Sequence, residues 1–426
     1  MFRTIAPVVV CASLAAVAGG ALFLSRGDAA TLEGTRLDAQ NFAQIEQGRY
    51  LAAAGDCEGC HNEPAGHELY AGGRPIETPF GVVVAANITP DRETGIGAWS
   101  DAEFVAALRD GRSPHGSLLY PAMPYPYYTK LTEPDALAIR AYLNTVKPVS
   151  NHVVSNRLPF PFRIREAMAA WNALYFKPGE YVSDPAKSPS WNRGAYLVLG
   201  AGHCGACHTP KTPLGGDDLS RAFQGNALQG WYAPNITNDS VAGLGGWSVT
   251  DIVGYLKTGH SAAASATGIM GEEVAFASSH LSDDDLKAIA IYLKDLPGQT
   301  QPGLALAESD PRIKTGGAIY ADQCSTCHGG DGRGSPYLFP ALSGAANVRS
   351  ADPTSLIRVV IEGARSVATA QEPTGPGMPS FGWKLHDEEV AAVLTYIRNA
   401  WGSSAPAVTA NQVTNVRASL NASANR

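Results

Sequence analysis

Apolar residues recur at three- and four-residue spacing in three separate stretches, each behind a short polar start signal, and each stretch predicts an amphipathic helix. The first runs from about Glu133 to Val146 with Thr132 as cap, the second from Asp283 to Leu296 after Ser282, and the third from Asp387 to Trp401. All three carry an aromatic–aliphatic pair near their end: Tyr142-Leu143, Tyr292-Leu293 and Tyr396-Ile397. A further helix is predicted from Ser100, where Glu103 completes a Ser-x-x-Glu capping box. The pattern breaks down from Pro148 to Pro189 into a Pro-rich connection, within which Arg163 to Phe176 reads as a helix bracing its neighbours. After Trp401 the chain is polar and rich in small residues, with no apolar stretch long enough to anchor it. Ile5 to Leu24, behind Arg3, is an almost uncharged apolar run of 20 residues. It predicts an export signal or an uncleaved anchor, and either places the rest of the chain outside the cytoplasm.

The helices belong to an internal repeat. Gly48-Arg49-Tyr50-Leu51 is matched by Gly194-Ala195-Tyr196-Leu197, Asn87-Ile88-Thr89 by Asn235-Ile236-Thr237, and Gly95-Ile96-Gly97-Ala98-Trp99-Ser100 by Gly243-Leu244-Gly245-Gly246-Trp247-Ser248. A spacing near 147 residues is too long for a solenoid and suits duplicated domains. A third, shorter unit starts at Gly316-Gly317-Ala318-Ile319-Tyr320 and lacks the Asn-Ile-Thr and Gly-x-Gly-x-Trp elements. The expected layout is a leader or anchor over 1–30, domains over 40–150, 191–300 and 305–403, a linker over 151–190 and a polar tail over 404–426.

Composition changes this picture in two ways. The 45 glycines and 29 prolines among 426 residues predict long loops, which need some other body to pack around. The net charge of −7, with no basic block, gives no electrostatic reason to expect nucleic-acid binding.

Six of the seven cysteines supply that body, because they fall in three Cys-x-x-Cys-His sequences: Cys57/Cys60/His61, Cys204/Cys207/His208 and Cys324/Cys327/His328. Cysteines three apart on one helical turn present both sulfurs to a porphyrin edge, and the adjoining histidine reaches the iron. The seventh, Cys11, belongs to the apolar run, and no cysteine is left for a structural disulfide. A redox dithiol or half of a zinc site would give one such motif, not three in matching contexts. The three motifs therefore predict three covalently bound haems c, with His61, His208 and His328 as proximal ligands.

A sixth iron ligand is expected from methionine, whose thioether raises the haem potential. Apart from Met1 and the linker's Met168, each unit holds one: Met123 in Pro121-Ala122-Met123-Pro124, Met270 in Gly268-Ile269-Met270-Gly271 and Met378 in Pro376-Gly377-Met378-Pro379. The distance from first cysteine to methionine is 66 residues in the first two units and 54 in the third. All three are expected in Pro/Gly-rich loops just before the closing helix. His115 and His260 are competing distal candidates, better read as exposed loop histidines. His67, His152, His203, His280 and His386 are given only surface or capping positions. Asp91/Glu93 and Asp283-Asp284-Asp285 read as solvated or helix-starting acids. No dinucleotide, P-loop, nucleophile-elbow or HExxH motif is apparent, so no substrate-oxidising centre is expected on this chain.

Together with Ala71-Gly72-Gly73-Arg74-Pro75, Thr78-Pro79-Phe80-Gly81, Asn87-Ile88-Thr89-Pro90-Asp91, Tyr120-Pro121-Ala122-Met123-Pro124 and Trp231-Tyr232-Ala233-Pro234-Asn235-Ile236-Thr237, these motifs make residues 45 to 403 resemble the cytochrome c subunit of bacterial membrane-bound dehydrogenases. The alcohol, gluconate, fructose and FAD-dependent glucose dehydrogenases have such subunits. The resemblance implies an all-α chain of three tandem class I cytochrome c domains with His/Met ligation. It also implies a periplasm-facing place on the inner membrane beside a catalytic subunit carrying flavin, PQQ or a molybdenum cofactor, with a small third subunit in some complexes. Electrons would leave to ubiquinone or a downstream cytochrome. Other classes consistent with the motifs are a freestanding periplasmic carrier, an oxidase haem subunit and a multihaem peroxidase.

Overall fold

The computed structural model describes residues 41–62, 68–299, 303, 306–307 and 309–424; the apolar run from Ile5 to Leu24, Cys11 and His67 lie outside them. Within the described residues no helix is long and apolar enough to cross a membrane.

The chain is helix-rich, and one helix pair recurs three times. The leading helices are Phe42–Ala54, Pro189–Tyr196 and Pro311–Gln323, started by Asn41, Ser188 and Asp310, whose side chains each accept a backbone N–H of the first turn. The closing helices are Glu133–Leu143, Asp283–Asp295 and Asp387–Ile397. Thr132 and Ser282 cap the first two as expected, and Glu389 takes the His386 amide at the third. The first and third end earlier than their periodicity predicts.

Each leading helix packs on the closing helix of its own pair. The contact is backbone on backbone. A Cβ on Gly48, Gly194 or Gly316 would stand 1.8, 2.0 or 2.1 Å from the carbonyl oxygen of Ala138, Ala288 or Ala392. Four residues after each of those alanines comes the Tyr of the aromatic–aliphatic pair: Tyr142, Tyr292 or Tyr396.

The second leading helix runs on into a π-helical turn, Leu197–Ala201. Counting explains it. Gly48 and Leu51 correspond to Gly194 and Leu197 at a spacing of 146 residues, whereas Gly55 and Cys57 correspond to Gly202 and Cys204 at 147. The extra residue falls inside the widened turn, as an insertion into a helix does when the flanks must keep their phase.

Helices Asp101–Asp110 and Val249–Thr258 sit between the paired ones, both started by reciprocal capping boxes, Ser100/Glu103 and Ser248/Asp251. Thr354–Glu362 holds the same place in the third pair. Three two-stranded antiparallel hairpins, Pro75–Thr78 with Gly81–Val84, Asn226–Leu228 with Trp231–Ala233, and Ala364–Arg365 with Gly377–Met378, lie among the described residues and are absent from the all-α expectation.

The first two helix pairs share one apolar core, in which Leu51, Leu131, Leu197 and Leu286 are almost fully buried. Each contributes about 1.5–3 kcal/mol by burial. The third pair has its own core around Ile357, Val390 and Leu394. Where a polar tail is expected, a helix, Ala410–Ala424, lays Val413, Val416 and Leu420 into that core. Its Arg417 pairs with Asp387 and donates to the carbonyls of Gly382 and Leu385. The connecting segment forms a shorter helix than predicted, Ala167–Tyr175. Tyr125 donates to its Asn172, and its Trp171 donates to the Leu214 carbonyl.

Candidate haem-binding sites

Each Cys-x-x-Cys-His sequence follows directly on a leading helix. In the first two, a single residue in the left-handed conformation, Asp56 (φ 49°) or His203 (φ 33°), breaks the helix, and the motif forms the next turn, Cys57–His61 or Cys204–His208. The third dispenses with it, and Ser325–His328 continues from Cys324 in the right-handed region. Both cysteines and the histidine of a motif thus share one turn. Burial pushes the thiols of Cys57, Cys60 and Cys204 up to about 12 and those of Cys207 and Cys324 up to about 11. A redox dithiol needs the opposite shift.

Cys327 departs from the equivalence that the three identical motifs predict. It is exposed, whereas Cys57, Cys60, Cys204, Cys207 and Cys324 are all half-buried. Of its counterparts, Cys60 lies near enough to Cys207 to feel its charge, and Cys57 and Cys204 pack against the core that the first two units share. The third unit encloses a core of its own.

The three histidines are held alike. Nδ1 of His61 lies 2.6 Å from the Ala86 carbonyl oxygen, Nδ1 of His208 lies 2.7 Å from that of Pro234, and Nδ1 of His328 lies 3.0 Å from that of Pro340. Burial lowers all three imidazole pKa values, with the carbonyl contact working against it. A neutral ring with Nδ1–H given to a carbonyl keeps Nε2 as the basic nitrogen, which is the tautomer an iron ligand requires. These donor sets fit haem c.

The repeated motifs explain how the carbonyls come into place. Asn87 accepts from the Thr89 amide and hydroxyl, and Asn235 does the same with Thr237, so each Asn-Ile-Thr fixes the turn behind Ala86 or Pro234. The return path is anchored by a glycine at positive φ, whose N–H donates to the histidine's own carbonyl: Gly72 to His61 (2.7 Å), Gly225 to His208 (2.8 Å) and Gly334 to His328 (2.8 Å). Sequence reading noticed Gly72 only as part of a motif and missed the other two. Their signal is a glycine 6 to 17 residues after each motif histidine, at distances too uneven for a repeat search.

The methionines differ in setting. All three are half-buried and lie before the closing helix of their own pair. Met123 sits in a turn ahead of Tyr125–Tyr128 and packs against the first core. Met378 is on a hairpin strand and packs against the second. Met270 is not in a loop: Gly268–Phe276 is a helix, started where Gly268 (φ 57°) abuts the Trp231 ring. Of the competing histidines, His115 is exposed, but His260 is buried at 3% exposure, with Nε2 3.2 Å from the Val367 carbonyl oxygen. His203 is no surface residue either. Its ring lies on Tyr128, and both side chains reach the Gly55 carbonyl.

The first and second motifs meet across this contact. Asp56 is tucked under Gly59, where a Cβ would stand 2.2 Å from Asp56 Oδ1. Burial, reinforced by Glu273 from the second half, holds the Asp56 carboxyl well above its ordinary range. Arg74 bridges the halves by donating to the Gly59 carbonyl and pairing with Glu272.

The family model for cytochrome c matches residues 313–401. Over most of its length the chain is similar to the gluconate 2-dehydrogenase cytochrome c subunit of Pantoea cypripedii, with 39% identity over 404 residues, 89% of this chain and 91% of the relative. It is also similar to the cytochrome c subunit of alcohol dehydrogenase (quinone) from Gluconacetobacter polyoxogenes (38%; 88% of this chain, 84% of the relative) and to the fructose dehydrogenase cytochrome subunit of Gluconobacter japonicus (35%; 88% and 82%).

Proposed function

Because the chain belongs to the family of cytochrome c subunits of dehydrogenase complexes, haem-c proteins that transfer electrons, we propose that it carries three haems c in three tandem cytochrome c domains and relays electrons from a catalytic subunit to ubiquinone or a downstream cytochrome. Cys57/Cys60, Cys204/Cys207 and Cys324/Cys327 form the thioethers. His61, His208 and His328 bind iron on one side, and Met123, Met270 and Met378 on the other. An iron held by imidazole and thioether exchanges single electrons without rearranging its ligands. The chain's own part is to fix each imidazole and to bring the first two motifs together. The partner holds flavin, PQQ or a molybdenum cofactor and oxidises an alcohol, sugar or sugar acid on the periplasmic side of the inner membrane.

The observation that carries this reading is the threefold repetition of histidine Nδ1 on a backbone carbonyl, present even in the shorter third unit that lacks Asn-Ile-Thr. Purification of the native complex and mass spectrometry of its subunits test it. A large cofactor-bearing oxidoreductase should co-purify, and three haems per chain should appear by pyridine haemochrome. Isolation with no such subunit, or with fewer haems, refutes it.

A further inference from the structure

The connecting segment is unusual as a surface. Its helix, Ala167–Tyr175, has one polar residue, Asn172, yet none of its residues is buried. A helix apolar all round ordinarily sits inside a protein or against lipid. The preceding residues continue the pattern: Val154, Phe160, Phe162 and Ile164 are exposed, as is Leu174 within the helix, with Phe160 at 71% and Leu174 at 64%. The patch is continuous. Phe162 packs on Phe80 (ring centroids 5.0 Å apart), Phe80 packs on Gly215, and neighbouring Leu214, itself exposed, accepts the Trp171 indole N–H. Apolar patches of this kind mark a surface that something covers.

The charge around it identifies what. Residues 154–177 carry Arg157, Arg163, Arg165 and Lys177 against a single acid, Glu166, giving +3 in a chain whose net charge is −7. The remainder therefore carries −10. Of the four basic residues, Arg165 stacks on the Tyr120 ring and donates to the Leu118 carbonyl, while Arg157, Arg163 and Lys177 are exposed. Exposed aromatic and aliphatic side chains fringed by Arg and Lys match the boundary between acyl chains and anionic headgroups. The acidic remainder is repelled by the same headgroups, so only this face is drawn to them.

We propose that residues 154–177 form a bilayer-contact surface that seats the chain on anionic phospholipid, with Phe160, Phe162, Ile164 and Leu174 at the acyl boundary and the basic side chains among the headgroups. It adds to the membrane location in the functional reading and is independent of haem number and electron path.

The test is local, so that an N-terminal anchor does not obscure it. An environment-sensitive nitrobenzoxadiazole label is placed at Leu174→Cys in the full haem-loaded chain, with Cys11→Ser as background and Glu388→Cys as control. On vesicles containing phosphatidylglycerol, emission from position 174 should shift to the blue and be quenched by brominated acyl chains, while position 388 stays unchanged. The label is then moved to Ile164→Cys and combined with Phe160→Ser and Leu174→Ser, and insertion should fall about tenfold or more. Arg163→Gln with Lys177→Gln should remove the preference for phosphatidylglycerol over phosphatidylcholine. No change at 174, an equal change at 388, a preference that survives loss of the charges, or shielding of 174 only when the catalytic subunit is added would each overturn the proposal. Haem content and complex formation are read separately.

Discussion

The Tyr50 hydroxyl donates to the Asp285 carboxylate at 2.6 Å, linking the first leading helix to the second closing helix. The contact is reciprocated, because Tyr196, the equivalent of Tyr50, donates to Asp135 at the start of the first closing helix. Each hydroxyl also accepts the amide of the other half's cap residue, Ser282 or Thr132. The first two halves are thus tied by a two-fold exchange.

Asp285 makes that exchange sensitive to acid. Burial works to raise its pKa, but hydrogen bonds from Arg193 (2.8 and 2.6 Å) and Tyr50 more than offset this, leaving it below its ordinary value. Its contribution is therefore fully present above that ordinary value, near pH 4, and is lost as pH falls through the lower folded value. Asp285→Asn should cost about 2 kcal/mol at pH 7. The difference from wild type in chemical denaturation should shrink below pH 4, and a constant difference down to pH 2 would contradict the assignment.

Gly48, Gly194 and Gly316 should not tolerate alanine. Helix propensity alone gives alanine about 1 kcal/mol over glycine. Against that, a Cβ at 1.8 to 2.1 Å from a carbonyl oxygen forces the helices apart, at about 3 kcal/mol. Each variant should melt at a lower temperature and retain less haem in its own unit, whereas Gly246→Ala, where nothing lies within 4 Å, should not.

Replacing the methionines tests the proposed iron ligands one by one. Met123→Ala, Met270→Ala and Met378→Ala should each remove about one third of the thioether–iron absorbance if three equal His/Met sites are present. A spectrum unchanged by any one of them removes that methionine from the ligand set.

Asn87→Ala tests the carbonyl behind the first histidine. Its amide also donates to the Val149 carbonyl and Thr94 hydroxyl, so its loss should cost about 2 kcal/mol. A loosened Ala86 carbonyl makes the His61 ring a poorer electron donor. The potential of one haem should rise in a redox titration while the other two hold; a common shift of all three would point to general loosening instead.

How much of this was legible in the sequence depended on where each signal sits. The cysteine motifs, the Ser100/Glu103 box and the Thr132 and Ser282 caps are local, and the structure places them where the residues predict. The exposure of Cys327 was not legible, because the Cys-x-x-Cys-His pattern around it is the same as in the other two motifs. The helix Ala410–Ala424 escaped because its apolar face is only Val413, Val416 and Leu420 in a run of small polar residues, and its stability comes from the third core. The glycines at 268 and 271 point to a loop around Met270, but the first of them starts a helix against Trp231. His203 and His260 are held by partners 148 and 107 residues away in sequence, which no local pattern reveals. The reciprocal tyrosines are of the same kind: each is an ordinary apolar helix position until the other half is docked.

The π-helical turn at Leu197–Ala201 has a consequence for comparing the two halves with each other or with relatives. An ungapped comparison started at the glycines sets Cys204 beside Glu58, and one started at the cysteines sets Gly194 beside Gln47. Both registers are right, each on its own side of the turn. The gap between the glycines and the cysteines belongs within those five residues, and any substitution profile that places it elsewhere will attribute to the haem motif the preferences of a helix-packing position.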